Sequence, residues 1–345
     1  VSGTAGTTGT TGTTGNTVAP PPAVKSRAVQ RGRLADPAVG VWLAAAAVTA
    51  LGWIVVAARG GDFLTLSNVV GILQNCVALG LVAVGQTAVI LTGSLDLSVA
   101  YLISLGTLVA ATTMEDGSVL TAVLAVLALS AAVGLANGLI VTGLKVNAFI
   151  ATLGTAFILR GWIEDNYTGP AGEVPASFQH LGYDRMGPIP VSLFLLAAVA
   201  AAMWLITRRT RFGHHLYATG GDEHAARLSG VRTRRTIIAA HVLCSLCVGA
   251  AALFLASRLG AGAPWAGTEA RYDLESIAAV VLGGTVLAGG RGGVAGTLGG
   301  VLVLAVLDSV FNQLGVDPFF KNVVRGVVII AAVALYARSG SRRSA

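Results

Sequence analysis

RFGHHLYATGGDEHAARLSGVRTRR, residues 211–235, is the longest polar and basic interruption between the strongly apolar blocks of this chain. Positive charge in short segments between apolar blocks sets the side of a membrane on which they stay, so this stretch decides how the others are threaded. Within it, Asp222 to Ser229 reads as a two-turn helix. Asp222 is a strong N-cap, and Ala225, Ala226 and Leu228 favour helix. Arg227 suits the negative C-terminal end, and Gly230 supplies a left-handed stop. Flanked by Gly220–Gly221 and Gly230, the segment forms a small rigid knob on a basic surface, suited to docking into another protein. A charged loop that only sets topology is the alternative, and from physics alone both readings stand.

The blocks on either side settle the class. Of 345 residues, 54% are hydrophobic and 11% charged, where soluble domains carry about 25% charged. With a mean hydropathy of +0.76, so much apolar sequence has no soluble core to fill. The chain is an all-α polytopic membrane protein. Apolar spans are predicted at about 39–58, 67–92, 97–113, 119–142, 147–164, 191–207, 236–257, 274–289, 293–312 and 321–337. Each is near the ~20 residues a helix needs to cross the hydrocarbon core. A polar stretch, 165–190, with Pro170, Pro175, Pro188 and Pro190, separates spans five and six.

Residues 1–36 form a separate regime. A Gly/Thr run, Pro20–Pro22 and the basic cluster Lys25, Arg27, Arg31 and Arg33 lack aromatic residues and bury too little surface to offset their ordering entropy. This tail is predicted to be disordered and cytoplasmic. A signal peptide is not expected, since basic residues follow the tail and the first apolar span is long and lacks a processing site. The apolar domain is predicted to cover 37–338, with 208–235 as its cytoplasmic loop, and 339–345 is a short C-terminal tail.

Charge supports ten spans with both termini inside. That threading places the tail cluster, Lys145, the seven arginines from Arg208 to Arg235, Arg291 and the last arginines on the cytoplasmic side. Glu115, Asp116, Asp165, Glu173 and Asp184 fall outside, so the reverse orientation inverts the expected bias.

Motifs for chemistry are absent from the sequence. No GxxxxGK[ST], HExxH or GxSxG occurs, and His180, His214, His215, His224 and His241 have no metal-ligand spacing. Cys76, Cys244 and Cys247 lie in apolar spans and read as small buried residues, because the CxxC has no thioredoxin-like βαβ frame around it. Gly290-Arg-Gly292-Gly-Val-Ala295 fits GxGxxA, but a dinucleotide site needs a strand before it. Gly292, Gly296 and Gly300, four apart, instead read as one helix face for close backbone approach. The chain is therefore not read as an enzyme, and no catalytic, cofactor or metal site and no nucleic-acid partner is expected.

Polar residues near the membrane need partners. Asp96 sits between spans two and three, where Gly93, Ser94 and Ser98 predict a break or tight reversal, with Asp96 capping the next helix in preference to touching substrate. Asn75, Gln86, Asn137, Asn147 and Asp308 line a polar passage or bond between helices, and the sequence does not separate the two roles. Asn75, Asn147, Phe149 and Asp308 are the candidate pathway residues.

ILTGSLDLSVAYLISLG, NAFIATLGTAFILRG, RFGHHLYATGGDEHAARLSGV and AAVVLGGTVLAGGRGGVAGTLGG occur in an order and spacing that resembles the permease subunits of ABC importers for simple sugars, the ribose, xylose, arabinose and galactose group. The likeness covers about 40–337. It implies the ABC importer permease fold in a homodimer, served by an ATP-binding subunit that binds ATP and Mg, and by an extracytoplasmic sugar-binding protein. It also implies that Gly220, Gly221, Asp222, Ala225, Ala226, Arg227, Ser229 and Gly230 form the ATPase-coupling segment, with Asp222 where the family has Asn. The family's Gly-Ile-Asp-Leu-Ser-Val-Gly appears as Ser94 to Ala100, without its glycines, and Asp308 stands where Asn is common. Import of a nucleoside, polyol or signalling furanose is the alternative within transport, and an ion-coupled secondary carrier the alternative outside the class.

Overall fold

A computed structural model of the chain describes residues 1–7, 9, 37–317, 319–321, 323–324 and 326–327. Most of the expected tail, most of the expected tenth span and the C-terminal tail lie outside the described residues. The first helices are α1 (Pro37–Ala58), α2 (Leu66–Leu91), α3 (Val99–Asp116), α4 (Val119–Gly143) and α5 (Ala148–Asn166). The polar stretch 165–190 holds α6 (Ala176–Tyr183) and a hairpin of β1 (Arg185–Met186) and β2 (Ile189–Pro190), with Met186 opposite Ile189. Then follow α7 (Val191–Arg209), α8 (Arg211–Gly221), α9 (Glu223–Leu228), α10 (Thr233–Leu259), α11 (Tyr272–Leu282) and α12 (Val294–Gln313).

Local chemistry accounts for most boundaries. Gly117 interrupts the chain after α3, and α4 opens with a reciprocal cap: Ser118 Oγ accepts from Thr121 N at 3.2 Å, and Thr121 Oγ1 accepts from Ser118 N at 3.1 Å. α10 ends at Gly260, whose φ of +74° makes a left-handed stop. Among the described residues six helices, α1, α2, α4, α7, α10 and α12, are long and apolar enough to cross a membrane. α3 and α5 occupy the third and fifth predicted spans and end in acidic residues, Glu115–Asp116 and Glu164–Asp165.

The eighth span differs from expectation. The sequence predicts a crossing at 274–289, but α11 stops at Leu282 after 11 residues. At ~1.5 Å per residue it reaches only about half the hydrocarbon thickness. Gly284, at φ +84°, turns the chain out of the helix, and 283–293 continues as a loop. Its backbone is satisfied internally, with Val286 N bonded to Arg291 O at 3.0 Å and Gly293 N to Thr285 Oγ1 at 3.2 Å. The apolar run Val280–Leu282, Val286–Ala288 hides this break from a hydropathy reading.

α2 and α10 form the centre. α2 is buried without interruption from Cys76 to Leu91, the pattern of a helix apolar on every side and surrounded by others. α10 packs most extensively on α4 and then on α2. The outer helices show the opposite pattern: Trp42, Leu43, Leu51, Trp53 and Ile54 on α1, and Ile150, Phe157, Ile158 and Trp162 on α5, are exposed. An apolar surface of that extent matches hydrocarbon, not water.

Between helices in lipid there is no hydrophobic drive to associate, so close approach through small residues carries the packing. A Cβ at Gly134 of α4 would lie 2.7 Å from His241 O of α10, and one at Gly138 would lie 2.6 Å from Ile238 Cα. Gly134 and Gly138, four apart, are a contact face that sequence reading passed over. On α12, a Cβ at Gly296 would lie 2.0 Å from Gly283 O, and one at Gly300 2.1 Å from Ala279 O. This face therefore closes against α11 within the same chain. Gly292 is not on it: α12 begins at Val294, and Gly292 lies in the preceding loop against Thr285. Gly296→Leu is expected to cost at least the ~1–3 kcal/mol of ordinary overpacking, read as a clear fall in thermal unfolding temperature of the purified protein. Gly154→Leu, at a position with nothing within 4 Å, is the control and should leave it unchanged.

Candidate functional site: a capped knob, a buried carboxylate and a polar cavity

The knob forms at Asp222. Its extended backbone, φ −161°, ends α8, and its Oδ1 accepts from Ala225 N at 2.9 Å to start α9. The helix closes with Val231 N bonded to Ala226 O at 3.0 Å and Gly230 at φ +83°. Glu223 pairs with Arg227 and accepts from Thr233 Oγ1 at 3.0 Å, which ties α9 to the start of α10. Ala226 faces inward and is 6% exposed, so it is not an open socket for a partner. The outward face carries Ala225, Ser229 and Leu228, the last 78% exposed. The exposed leucine on this charged knob is a feature that hydropathy and capping signals do not single out.

α8 adds an 11-residue helix ahead of the knob. Thr210 Oγ1 caps it by accepting from Gly213 N at 3.2 Å, and Gly213, Leu216 and Thr219 form its buried stripe. That three-residue spacing is the signal that reveals it. At its end, a Cβ on Gly220 would lie 1.9 Å from Leu91 O and 2.6 Å from Gly290 N. Gly290 N in turn donates to Leu91 O at 3.0 Å, and Tyr217 Oη donates to Gly292 O at 3.0 Å. Burial raises the Tyr217 pKa against the opposing pull of Arg208, keeping the phenol a donor. The ends of α2 and α8 and the glycine loop thus meet backbone to backbone, directly beneath the knob.

After Leu91 the chain turns at Gly93, φ +80°, and runs without helix to Val99. Asp96, in this break, is fully buried. Its carboxylate accepts from Ser98 N at 2.9 Å, Ser98 Oγ at 2.6 Å and Asn137 Nδ2 at 3.3 Å, and stands 3.5 Å from His241 Nδ1. Asn137 Oδ1 accepts from Thr155 Oγ1 at 2.6 Å. Gln86 Nε2 donates to Asp96 O at 3.2 Å, and Leu97 N to Thr152 Oγ1 at 3.1 Å. One short break is therefore held by α2, α4, α5 and α10. Asp96, Ser98, Gln86 and Asn137 belong to this cluster and not to any open cavity.

Far from the knob, a cavity of about 560 Å³ lies between the first half of α2, the last turns of α10, the start of α11 and the second half of α12. Its polar lining is Gln74, Asn75, Arg258, Tyr272, Glu275 and Asp308. Two of the four candidate pathway residues, Asn75 and Asp308, meet here. The other two do not: Asn147 caps α5 by accepting from Phe149 N at 2.9 Å, and Phe149 is 48% exposed on the apolar outer surface. Tyr183 of α6 stands at the rim and donates to Arg258 O at 2.7 Å. Arg258, Tyr272 and Glu275 escape sequence reading because, at the ends of apolar blocks, they look like ordinary interfacial residues.

Residues 68–333 match the family described as branched-chain amino acid transport system / permease component. The chain belongs to this permease family. It is 40% identical over 286 residues to the ribose import permease of Escherichia coli (strain K12), spanning 81% of this chain and 88% of that one. Identity is 36% over 285 residues to the L-arabinose transport system permease of the same strain, covering 79% and 83%. It is 30% over 302 residues to the galactose/methyl galactoside import permease of Haemophilus influenzae, covering 81% and 89%. No solved structure matches the chain.

In this permease, removing one member of a buried charged cluster leaves its partners unsatisfied, at a cost of about 3–5 kcal/mol. Asp96→Ala is accordingly expected to destabilise the purified protein severely in a thermal unfolding assay, and Asp96→Asn, which keeps an acceptor, distinctly less. Equal stability of both variants and the parent would show that the cluster does not hold the break.

Proposed function

We propose that this chain is the membrane-spanning subunit of an ATP-driven importer that moves a monosaccharide inward by alternating access. It works as a homodimer of ten-span subunits in a bacterial inner membrane, with both termini and the α8–α9 end in the cytoplasm. The permease domain is 37–338, preceded by a disordered tail at 1–36 and followed by a short tail at 339–345. The names of the relatives, for ribose, L-arabinose and galactose with methyl galactoside, favour a monosaccharide.

The observation that carries the ATP-driven reading is α9. The sequence has no phosphate-binding loop of its own, yet it sets a capped helix with an exposed leucine on the basic end and backs it by backbone contact with α2 and the glycine loop. A partner subunit that binds ATP and Mg closes on this knob, and the movement passes to α7 and α10 on either side of it. At the opposite end, an extracytoplasmic sugar-binding protein docks on α6 and the β1–β2 hairpin, where Tyr183, Met186 and Ile189 are exposed. That surface is braced rather than loose: Gly182 N donates to Ser257 Oγ at 2.9 Å, and Ala171 pairs with Gly262.

Asp96 and His241 are a titratable pair between helices, the feature an ion-coupled carrier requires. Both are sealed from solvent and absent from the cavity lining, which favours a structural role for them.

The test is uptake into vesicles containing the permease, its ATP-binding subunit and its binding protein, across a panel of sugars. Uptake is expected with ATP and unaffected by a protonophore; uptake driven by an ion gradient without ATP overturns the reading. Leu228→Glu, at an exposed position, is expected to insert normally and keep binding-protein docking while losing ATPase association or uncoupling hydrolysis. A loop that only sets topology tolerates one more exposed acidic residue, so wild-type transport by this variant at matched expression rejects the coupling role.

A further inference from the structure

After Gly260 ends α10, the chain turns back along α3. A Cβ at Gly262 would lie 2.5 Å from Leu108 Cα, and Ala263 N donates to Thr107 Oγ1 at 3.1 Å. Further on, Gly267 N donates to Ser104 Oγ at 3.1 Å, and Gly267 has no room for a Cβ against Ala100. Segment 262–267 thus follows α3 from Leu108 back to Ala100, about 12 Å at ~1.5 Å per residue, without forming a helix. α3 occupies the third predicted span, so this is irregular backbone at membrane depth. Such backbone is tolerated only where protein buries it or where it lines a water-filled cavity. Here the glycine face is buried on α3, while Trp265 on the other face is exposed. A second observation falls on the same spot. Arg160 and Glu164 of α5 pair at 2.7 Å with both side chains exposed, and Arg160 lies about 9 Å inside the last residue of that helix. Charges within a span face a bundle interior or water, not lipid. The two features meet in one pocket of about 290 Å³, at the small end of the roughly 300–1,000 Å³ range of small-molecule sites, lined by Tyr101, Arg160, Glu164, Tyr167, Trp265 and Thr268.

We propose, resting on the importer reading above, that the re-entrant segment 262–268 and α5 build a sugar subsite on a water-lined path through the membrane. A monosaccharide presents hydroxyl groups that donate and accept, and a C–H face that is apolar. The pocket answers both. A guanidinium donates up to five hydrogen bonds and a carboxylate accepts up to about four, so Arg160 and Glu164 retain capacity beyond the one bond between them. Tyr101 stands within reach of Arg160 and adds a phenol to the same polar group. Trp265 and Tyr167 supply ring faces for the carbon skeleton, and Trp162 holds Tyr167 at a centroid distance of 5.8 Å. The pocket opens on the exposed side of the protomer, so a second copy of the chain supplies the wall that separates it from lipid.

The experiment uses the full complex in proteoliposomes with sugar-loaded binding protein and ATP. Cys76, Cys244 and Cys247 are buried, so an introduced thiol reports its own surroundings. Thr268→Cys is expected to react with a membrane-impermeant thiol reagent and to lose sugar uptake when labelled. Leu51→Cys, on the exposed apolar face of α1, should not react, since a thiol in hydrocarbon stays protonated. Glu164→Gln is expected to lower sugar taken up per ATP hydrolysed about ten- to hundredfold, the loss of a charge-assisted hydrogen bond. Trp265→Ala should lower the same ratio, and Trp265→Phe, which keeps a ring, should retain most of it. Absence of labelling at Thr268→Cys overturns the water-lined segment, and wild-type sugar per ATP in both Glu164→Gln and Trp265→Ala overturns the subsite. A parent complex that takes up no neutral sugar with ATP overturns the importer reading itself, while labelling of Thr268→Cys reads the segment independently of it. Where one variant loses thermal stability, the other and the labelling carry the test; loss of stability in both assigns these residues to folding and rejects the subsite.

Discussion

A carboxylate sealed away from water has to be satisfied by the protein around it, and the architecture depends on how this is done for Asp96. Non-helical backbone is tolerated at membrane depth only when it is wrapped in protein. The break between α2 and α3 meets that condition through its own Ser98 and through Gln86, Asn137, Thr152, Thr155 and His241 of α2, α4, α5 and α10. The cluster ties α4, α5 and α10 to the break between α2 and α3. A neighbouring carboxamide or hydroxyl lost here has no water to replace it.

The second constraint is distance between backbones. Where Gly220, Leu91 and Gly290 meet, no side chain intervenes, so the contact has little give. Gly283, Gly296 and Gly300 produce the same condition between α11 and α12. Packed interfaces change between discrete arrangements more readily than they deform. These contacts join the α9 knob at one end to α11, whose other end lines the polar cavity.

The two ends divide the work chemically. The knob end is basic, with capped short helices and an apolar anchor, and suits a protein partner. The opposite end holds a polar cavity beside α6, which Ser257 braces through Gly182. Between them, α2 is buried along its last sixteen residues, Cys76 to Leu91.

Sequence alone determined what depends on local composition and caps. The all-α membrane class, most span positions, the α9 helix with its Asp222 cap and Gly230 stop, and the turn at Gly93 were legible, because hydropathy, capping and positive φ are properties of a few neighbouring residues. The likeness to sugar-importer permeases was legible for a similar reason, from motifs contiguous in the chain. Tertiary structure decided the rest. α8 emerged only through the face formed by Gly213, Leu216 and Thr219, and span eight shortened to α11 because glycine conformations, invisible to hydropathy, end it at Leu282. Ala226 turned inward and Leu228 outward because α9 is set by its contacts with α8 and α10. The pairing of Asp96 with His241, and the meeting of Arg258, Glu275 and Asp308 at one cavity, join residues far apart in the chain, and only packed helices bring such side chains together.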